Sequence, residues 1–330
     1  MWFNFKSKLH LLTKHLLFPF FENLWVVCFT CVGFCSKRNK RVKNWTSPGN
    51  QRVLVISPHP DDETIGCGGI MQLHTNSGDR VAVLQVTDGG ASEANGIARK
   101  QMRTIRRREG QAAAKHLKIA IQYFLALPEG YWQETELTAQ LKDYLNQENP
   151  DILYAPSCVD YHPEHLKVAR ALAKALQNTH KNPVMRLYEI HVPLTPVLVN
   201  LKADISTVVA NKIAALSAYK SQAVAMELIH RHHRYTRRLY RAKKGVEVFW
   251  EISAPQYIQI LQKHDKLLQT WQFRRTYPRP FLDPLVYFTG LPQRQQLACE
   301  LRCLNKDQNF CTVQSQNQLP ATPNTFDLSK

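Results

Sequence analysis

From Arg52 onward, short apolar runs alternate with stretches of helical periodicity, and this alternation limits the chain to few architectures. Val53-Leu54-Val55-Ile56 reads as a buried strand, and after a polar loop a helix runs through Met71 and His74 to a stop at Gly78. Val81 to Val86 is a second strand, ending in Thr87-Asp88-Gly89-Gly90. Residues 98–117 have the period of a helix, with Met102, Ile105, Ala112, Ala113 and Leu117 facing inward. Gln122 to Leu127 is a third strand, and Thr135 to Asn146 a helix with Leu137, Leu141 and Leu145 on one face. Asp151 to Ala155, a helix over 164–177 and a strand from Met185 to Val192 complete the series. Strands joined by helices of this length predict an α/β, Rossmann-like three-layer fold with a mainly parallel sheet and helices on both faces.

The two ends do not follow this pattern. Residues 1–50 hold eight Lys or Arg against a single acid, Glu22, and include an apolar stretch from Leu16 to Cys35. Pro19, Glu22 and Asn23 interrupt that stretch, and its continuous part, Leu24 to Cys35, is short for a bilayer crossing. No small-x-small site comes after it, which argues against a cleaved signal peptide. Lys6, Lys8 and Lys14 precede it; Lys37, Arg38, Lys40, Arg41 and Lys43 come after. The heavier C-terminal cluster favours a cytoplasmic location for the α/β body, peripheral or anchored at a membrane's cytoplasmic face. An interfacial anchor is the preferred reading, and a loosely packed extension the plain one. The body of the fold is expected over 51–254. Residues 255–330 form a C-terminal extension, with a Gln-, Asn- and Thr-rich tail from about 305 expected to be frayed.

With 44% hydrophobic and 21% charged residues the chain is not a disordered one, and a net charge of +17 favours anionic company. The eight cysteines repeat no disulfide framework, and Cys28-x-x-Cys31 lacks a second pair that would complete a metal site. A helix near 206–226 is expected before His230 to Lys244, which carries seven Lys or Arg and no acid.

Two motifs carry the chemistry. Ser57-Pro58-His59-Pro60-Asp61-Asp62-Glu63 follows the first strand directly, at the carboxyl end where open parallel sheets bind ligands. The prolines stiffen the loop, and two adjacent carboxylates repel unless a cation compensates them. Asp160-Tyr161-His162-Pro163-Glu164-His165 follows the fourth strand, and adjacency of the two strands would bring the motifs together. They then offer His, Asp and His as three metal ligands with an open fourth position, leaving Asp61 and His162 as base and acid. Alone, His162-x-x-His165 is a common surface pair and Asp61-Asp62 a helix N-cap pair; both at strand ends together are harder to dismiss.

The sequence here resembles the PIG-L/LmbE-like zinc de-N-acetylases: strand-x-H-P-D-D-E, then G-C-G-G at 66–69, and later H-P-E-H. Thr87-Asp88-Gly89, Arg106-x-x-Glu109, Leu127-Pro128-Glu129-Gly130, Asp204-Ile205-Ser206 and Tyr219-Lys220-Ser221-Gln222 fall in the family's order, so the resemblance covers about 50–250. It implies His59, Asp62 and His165 as metal ligands, Asp61 as general base and His162 as the group assisting the oxyanion. It further implies Arg106 and Glu129 as contacts to substrate. Glu164 stands where the family has Asp, a position that would orient His162. Zinc is the implied metal, and two histidines with one aspartate also accept Fe2+ or Co2+.

The expected activity is metal-dependent removal of the acetyl group from an N-acetylglucosamine-type sugar in a glycoconjugate, an envelope glycolipid or phosphorylated sugar being suggested by the basic segments. The alternative is an amidohydrolase acting on a small soluble N-acyl or thiol conjugate. A more distant one is a nucleic-acid or membrane docking protein, in which Tyr235 and Tyr240 among the arginines of 230–244 would stack on bases. A dinucleotide-binding dehydrogenase is excluded, because Gly66-x-Gly68-Gly69 lacks the fingerprint spacing and comes after the strand-end loop.

Overall fold

The structure is a computed structural model. It describes residues 42–269 apart from 93–95, 161, 180 and 195–197, together with 24, 26–28, 30, 31, 33 and 34. The expectation of a frayed tail therefore lies outside the described residues.

Among the described residues eight strands form one sheet: β1 (Lys43–Asn44), β2 (Arg52–Ser57), β3 (Arg80–Thr87), β4 (Ile121–Leu127), β5 (Ile152–Pro156), β6 (Val184–Tyr188), β7 (Leu201–Asp204) and β8 (Val246–Ser253). Their order is β1-β7-β8-β6-β5-β2-β3-β4, with β8 antiparallel to both its neighbours and every other pairing parallel. The chain leaves β2 toward β3 and β4 on one side, then returns to place β5 and β6 on the other. The reversal makes the carboxyl ends of β2 and β5 the switch point of the sheet.

The helices are α1 (Asp62–Asn76), α2 (Arg99–His116), α3 (Glu134–Glu148), α4 (Pro163–Leu176), α5 (Val209–Ser217), α6 (Ala223–Leu239) and α7 (Ala254–Gln269). Side chains of β2 alternate between two cores, as strand geometry requires. Leu54 and Ile56 join the layer of Leu137, Leu141, Leu172 and Ile260, while Val53 and Val55 join that of Ile70, Met71, Ala113 and Leu216. Both faces are covered, which is why Val53–Ile56 of β2 and Ile152–Pro156 of β5 are apolar without interruption. Of the residues expected to face inward from 98–117, Met102, Ala113 and Leu117 are buried and Ile105 and Ala112 half-buried, while Arg106, Glu109 and Ala114 also point inward.

Three parts differ from the sequence-based expectation. The expected helix over 206–226 is divided into α5, a 3-10 turn at Lys220–Gln222 and α6. The turn is held inward by Glu109, whose carboxylate accepts from Ser221 N at 2.8 Å and from Ser221 Oγ at 2.7 Å. The strand expected to reach Val192 ends at Tyr188. The basic segment does not present its tyrosines: Tyr235 and Tyr240 are buried, leaving no ring face for a nucleic-acid base.

The chain after the second motif braces α1. Glu247 on β8 accepts from Gly69 N at 2.7 Å and Ile70 N at 2.8 Å, and pairs with Lys212 at 2.7 Å. Lys212 also donates to Ile65 O at 2.7 Å. All these groups are buried, so the ion pair is compensated by hydrogen bonds, which such pairs require.

The described residues between 24 and 34 are helical, with Val26 and Thr30 buried and Gly33 close against Tyr235 and Leu239. Among the described residues no helix is long and apolar enough to cross a membrane.

Candidate metal centre and active site

The loop from β2 to α1 is organised from beneath by buried polar groups. Ser57 Oγ lies 2.6 Å from both His59 O and Glu63 Oε2, and Glu63 Oε1 accepts from Tyr219 Oη at 2.8 Å and Gln85 Nε2 at 3.2 Å. Tyr188 Oη caps β2 by donating to Ile56 O at 2.7 Å. Held this way, Asp61 has φ 145°, a conformation that side chains rarely adopt. Such strain persists only where the surroundings enforce it, and it is common at functional sites.

Adjacent strands β2 and β5 bring the two motifs together. His59 Nδ1 lies 3.1 Å from Asp62 Oδ2 and 3.2 Å from His165 Nε2, and His165 Nε2 lies 3.2 Å from Asp62 Oδ2. Three donor atoms thus form a nearly equilateral triangle. A tetrahedral zinc site with bonds of ~2.0–2.1 Å separates its donors by roughly 3.3–3.4 Å, so two imidazoles and one carboxylate fit the ion in number, type and spacing.

Each imidazole turns its other nitrogen toward a carboxylate, as ligating histidines do. His59 Nε2 is 2.7 Å from Glu164 Oε2, and His165 Nδ1 is 3.5 Å from Asp160 Oδ2. Burial alone would depress the His59 pKa, but Asp62 and Glu164 lift it well above the ordinary value. For His165 burial is likewise overcome, by Asp62 and Asp160, which hold it at about 9. Burial would raise Asp62, yet the two imidazoles hold it well below the carboxylate range. The triangle is therefore a place where positive charge is stabilised.

Other histidine sets lie nearby: His59, His162 and His165 bring ligand atoms within 4.8 Å of one another, as do Asp160, His165 and His191. In the latter, Asp160 already accepts from His162 N at 3.0 Å and His191 N at 3.3 Å. Its position is that of a brace beneath the histidines.

Asp61 stands beside the triangle with its carboxylate gripped from two sides. Arg106 Nη1 is 3.2 Å from Oδ2 and Nη2 3.2 Å from Oδ1. Burial raises its pKa, Arg106 opposes that, and the outcome is about 6. His162 packs edge-on to His59 at 4.8 Å, and its Nδ1 accepts from Glu164 N at 3.3 Å. Burial and the neighbouring imidazoles His165, His59 and His191 push its pKa down to about 3, so it is neutral and presents Nε2 as a donor.

Two residues occupy places other than those the sequence suggested. Glu164 directs its carboxylate to His59, and also accepts from Gly130 N at 2.7 Å and Trp132 Nε1 at 2.8 Å. It does not orient His162 through its carboxylate; its backbone N–H does that. Arg106 is 3% exposed and spends its guanidinium on Asp61. Glu129 lies at the rim, with Oε2 accepting from Ala91 N at 2.8 Å and Oε1 3.6 Å from His59 Nε2. Asp160, Glu63 and His191 were not singled out from sequence. Asp160 opens the second motif and His191 follows the end of β6, so the strand-end rule alone would have flagged both.

Comparison with known proteins bears on this geometry. Residues 54–176, which contain both motifs, match the family model described as "PIG-L: GlcNAc-PI de-N-acetylase". The segment that carries both motifs is thus similar to the PIG-L/LmbE-like de-N-acetylases. The chain is 26% identical over 194 residues to diacetylchitobiose deacetylase of Thermococcus kodakarensis, covering 52% of this chain and 70% of that one. It is 29% identical over 189 residues to a probable N-acetyl-alpha-D-glucosaminyl L-malate deacetylase 2 of Bacillus cereus, covering 53% and 86%. The fold matches that of N,N'-diacetylchitobiose deacetylase from Pyrococcus horikoshii with a TM-score of 0.55 and 21% identity, over 63% of this chain and 85% of that one.

Proposed function

We propose that this chain is a metal-dependent hydrolase that removes the acetyl group from an N-acetylglucosamine-type sugar. The observation that carries the reading is the donor triangle of His59, Asp62 and His165 with Asp61 held beside it. The relatives support it, since those in the family are described as deacetylases of diacetylchitobiose and of N-acetylglucosaminyl malate.

Zinc held by His59, Asp62 and His165 would supply Lewis-acid polarisation of the amide carbonyl. Asp61 takes the proton of the attacking water on its carboxylate, and Arg106 keeps both its oxygens in place. Burial keeps Asp61 basic enough for this task near neutrality. His162 Nε2 donates to the oxyanion as it develops at the acetyl carbon. Asp61, then protonated, returns its proton to the leaving amine. Glu129 at the rim is placed to accept from sugar hydroxyls. The +17 charge favours an anionic conjugate, a glycolipid or a phosphorylated sugar. A small soluble N-acyl conjugate is the alternative that the same site would accept.

The test is zinc content by elemental analysis together with amine release from a panel of N-acetylglucosamine conjugates. Asp61→Ala should keep about one zinc and lose about 10²–10⁴-fold in turnover, while His165→Ala should lose the zinc as well. A zinc-supplied wild type that stays metal-free and releases no amine would overturn the proposal.

A further inference from the structure

Only six large apolar side chains among the described residues are markedly exposed, and three of them lie on the N-terminal helical stretch: Leu24 at 50%, Val27 at 47% and Phe34 at 37%. With Cys31, also exposed, they stand at helical spacing on one face. The opposite face is occupied: Val26 is fully buried in the core, Thr30 is buried beside it, and Gly33 meets Tyr235 and Leu239. A helix held by the protein on one side cannot be surrounded by lipid, yet its other side is apolar and open to solvent.

Beside this face runs a row of cations. Arg234, Arg237 and Arg238, half-buried, and Arg241, exposed, recur at helical spacing along α6 and the turn after it, next in sequence to the Tyr235 and Leu239 positions that touch the stretch. Arg241 lies over the ring of Phe34, 5.6 Å from its centroid, so apolar face and cationic row are continuous. Burial and the like charges of Arg238 and Arg237 draw the Arg234 pKa below its ordinary value, which marks the crowding of positive charge there. Lys243 and Lys244 extend the row, and Lys37, Arg38, Lys40 and Arg41 come after the stretch in sequence.

We infer that the Leu24, Val27, Cys31 and Phe34 face, with the arginine row of α6 beside it, is a docking surface for an anionic lipid bilayer. Apolar side chains enter the acyl boundary while guanidinium groups remain at head-group level. A second copy of the chain fits less well, because two-fold pairing of this face would bring two cationic rows into one interface. The docking is in the plane of the bilayer and independent of the hydrolase reading.

The experiment is cosedimentation of the full chain with phosphatidylcholine vesicles, with and without about 30% phosphatidylglycerol. The chain should partition onto the anionic vesicles at least about tenfold better, and lose most of that advantage near ~0.5 M salt. Leu24→Gln/Val27→Gln/Phe34→Gln should lower partitioning by about tenfold or more without changing the melting temperature, since these side chains are outside the core. Arg237→Gln/Arg241→Gln should lower it several-fold and flatten the salt dependence. Equal partitioning onto both vesicle types, or partitioning unchanged in the triple variant, would overturn the inference. So would a dimer that the triple variant dissociates in a chain that binds no vesicle.

Discussion

Nε2 of His59 lies 2.7 Å from Oε2 of Glu164, on the ring edge away from the nitrogen that meets Asp62 and His165. A carboxylate in this place fixes the tautomer that leaves Nδ1 free to ligate, and it makes that nitrogen more basic.

Replacing Glu164 by Gln keeps the shape and removes the charge. Zinc affinity, read by competition with a chromophoric chelator, should fall about 10–100-fold while the fold is retained. Glu164→Asp should act in the same direction, because the shorter arm cannot reach His59 and keep its bonds to Gly130 and Trp132. An unchanged affinity in both variants would remove Glu164 from the centre.

Gly66→Ala should destabilise, against the usual trend. Inside a helix Ala is ordinarily favoured over Gly by about 1 kcal/mol. At Gly66, however, a Cβ would overlap the ring of Tyr188, which is pinned through its hydroxyl to Ile56 O. Overpacking of this kind costs about 1–3 kcal/mol or more, enough to reverse the sign. Since α1 begins at Asp62, zinc affinity and melting temperature should fall together; a higher melting temperature would mean that α1 can shift freely.

Acid stability should report on His74, remote from the donor triangle. His74 accepts from Tyr154 Oη at 3.0 Å and donates from Nδ1 to Asp79 at 2.5 Å, while Arg186 donates to Tyr154 Oη at 2.8 Å. Burial is the main cause of a folded-state pKa of about 4, against 6.5 ordinarily, with Arg186 adding to it and Asp79 opposing. The unfolded chain therefore binds a proton that the folded one refuses. The stability this group contributes is fully present above pH 6.5 and is lost as pH falls toward 4, by roughly 3 kcal/mol in all. Chemical denaturation across that range should show the slope, and His74→Gln should flatten it.

The alternating pattern from Val53 to Leu176 was legible because β2 and β5 are continuous apolar runs and helices such as α3 carry one apolar stripe. The chain beyond Leu176 was less so. β7 has only four residues, and β8 runs antiparallel between β6 and β7, which a parallel strand-helix reading does not anticipate. The residues that the structure brings together at the ends of β2 and β5 could be named from two motifs, since chain order at a strand end fixes where they emerge. Which carboxylate serves which imidazole could not, because one methylene in the arm of Glu164 decides whether it reaches across to His59. The Tyr219-Lys220-Ser221-Gln222 motif was visible as a string, but its service to Glu109 and Glu63 depends on contacts from far along the chain.

Glu247 gives those late contacts an order in time. On a growing chain His59, Asp62 and His165 have all emerged while the helix bearing Asp62 still lacks the carboxylate that grips Gly69 and Ile70. Tyr188, Tyr219 and Ser221 also lie beyond the end of the family match at 176. A nascent chain released at that point would hold all three proposed ligands without the braces that set their spacing. Metal loading should therefore be a late event in biogenesis, after the arrival of β8.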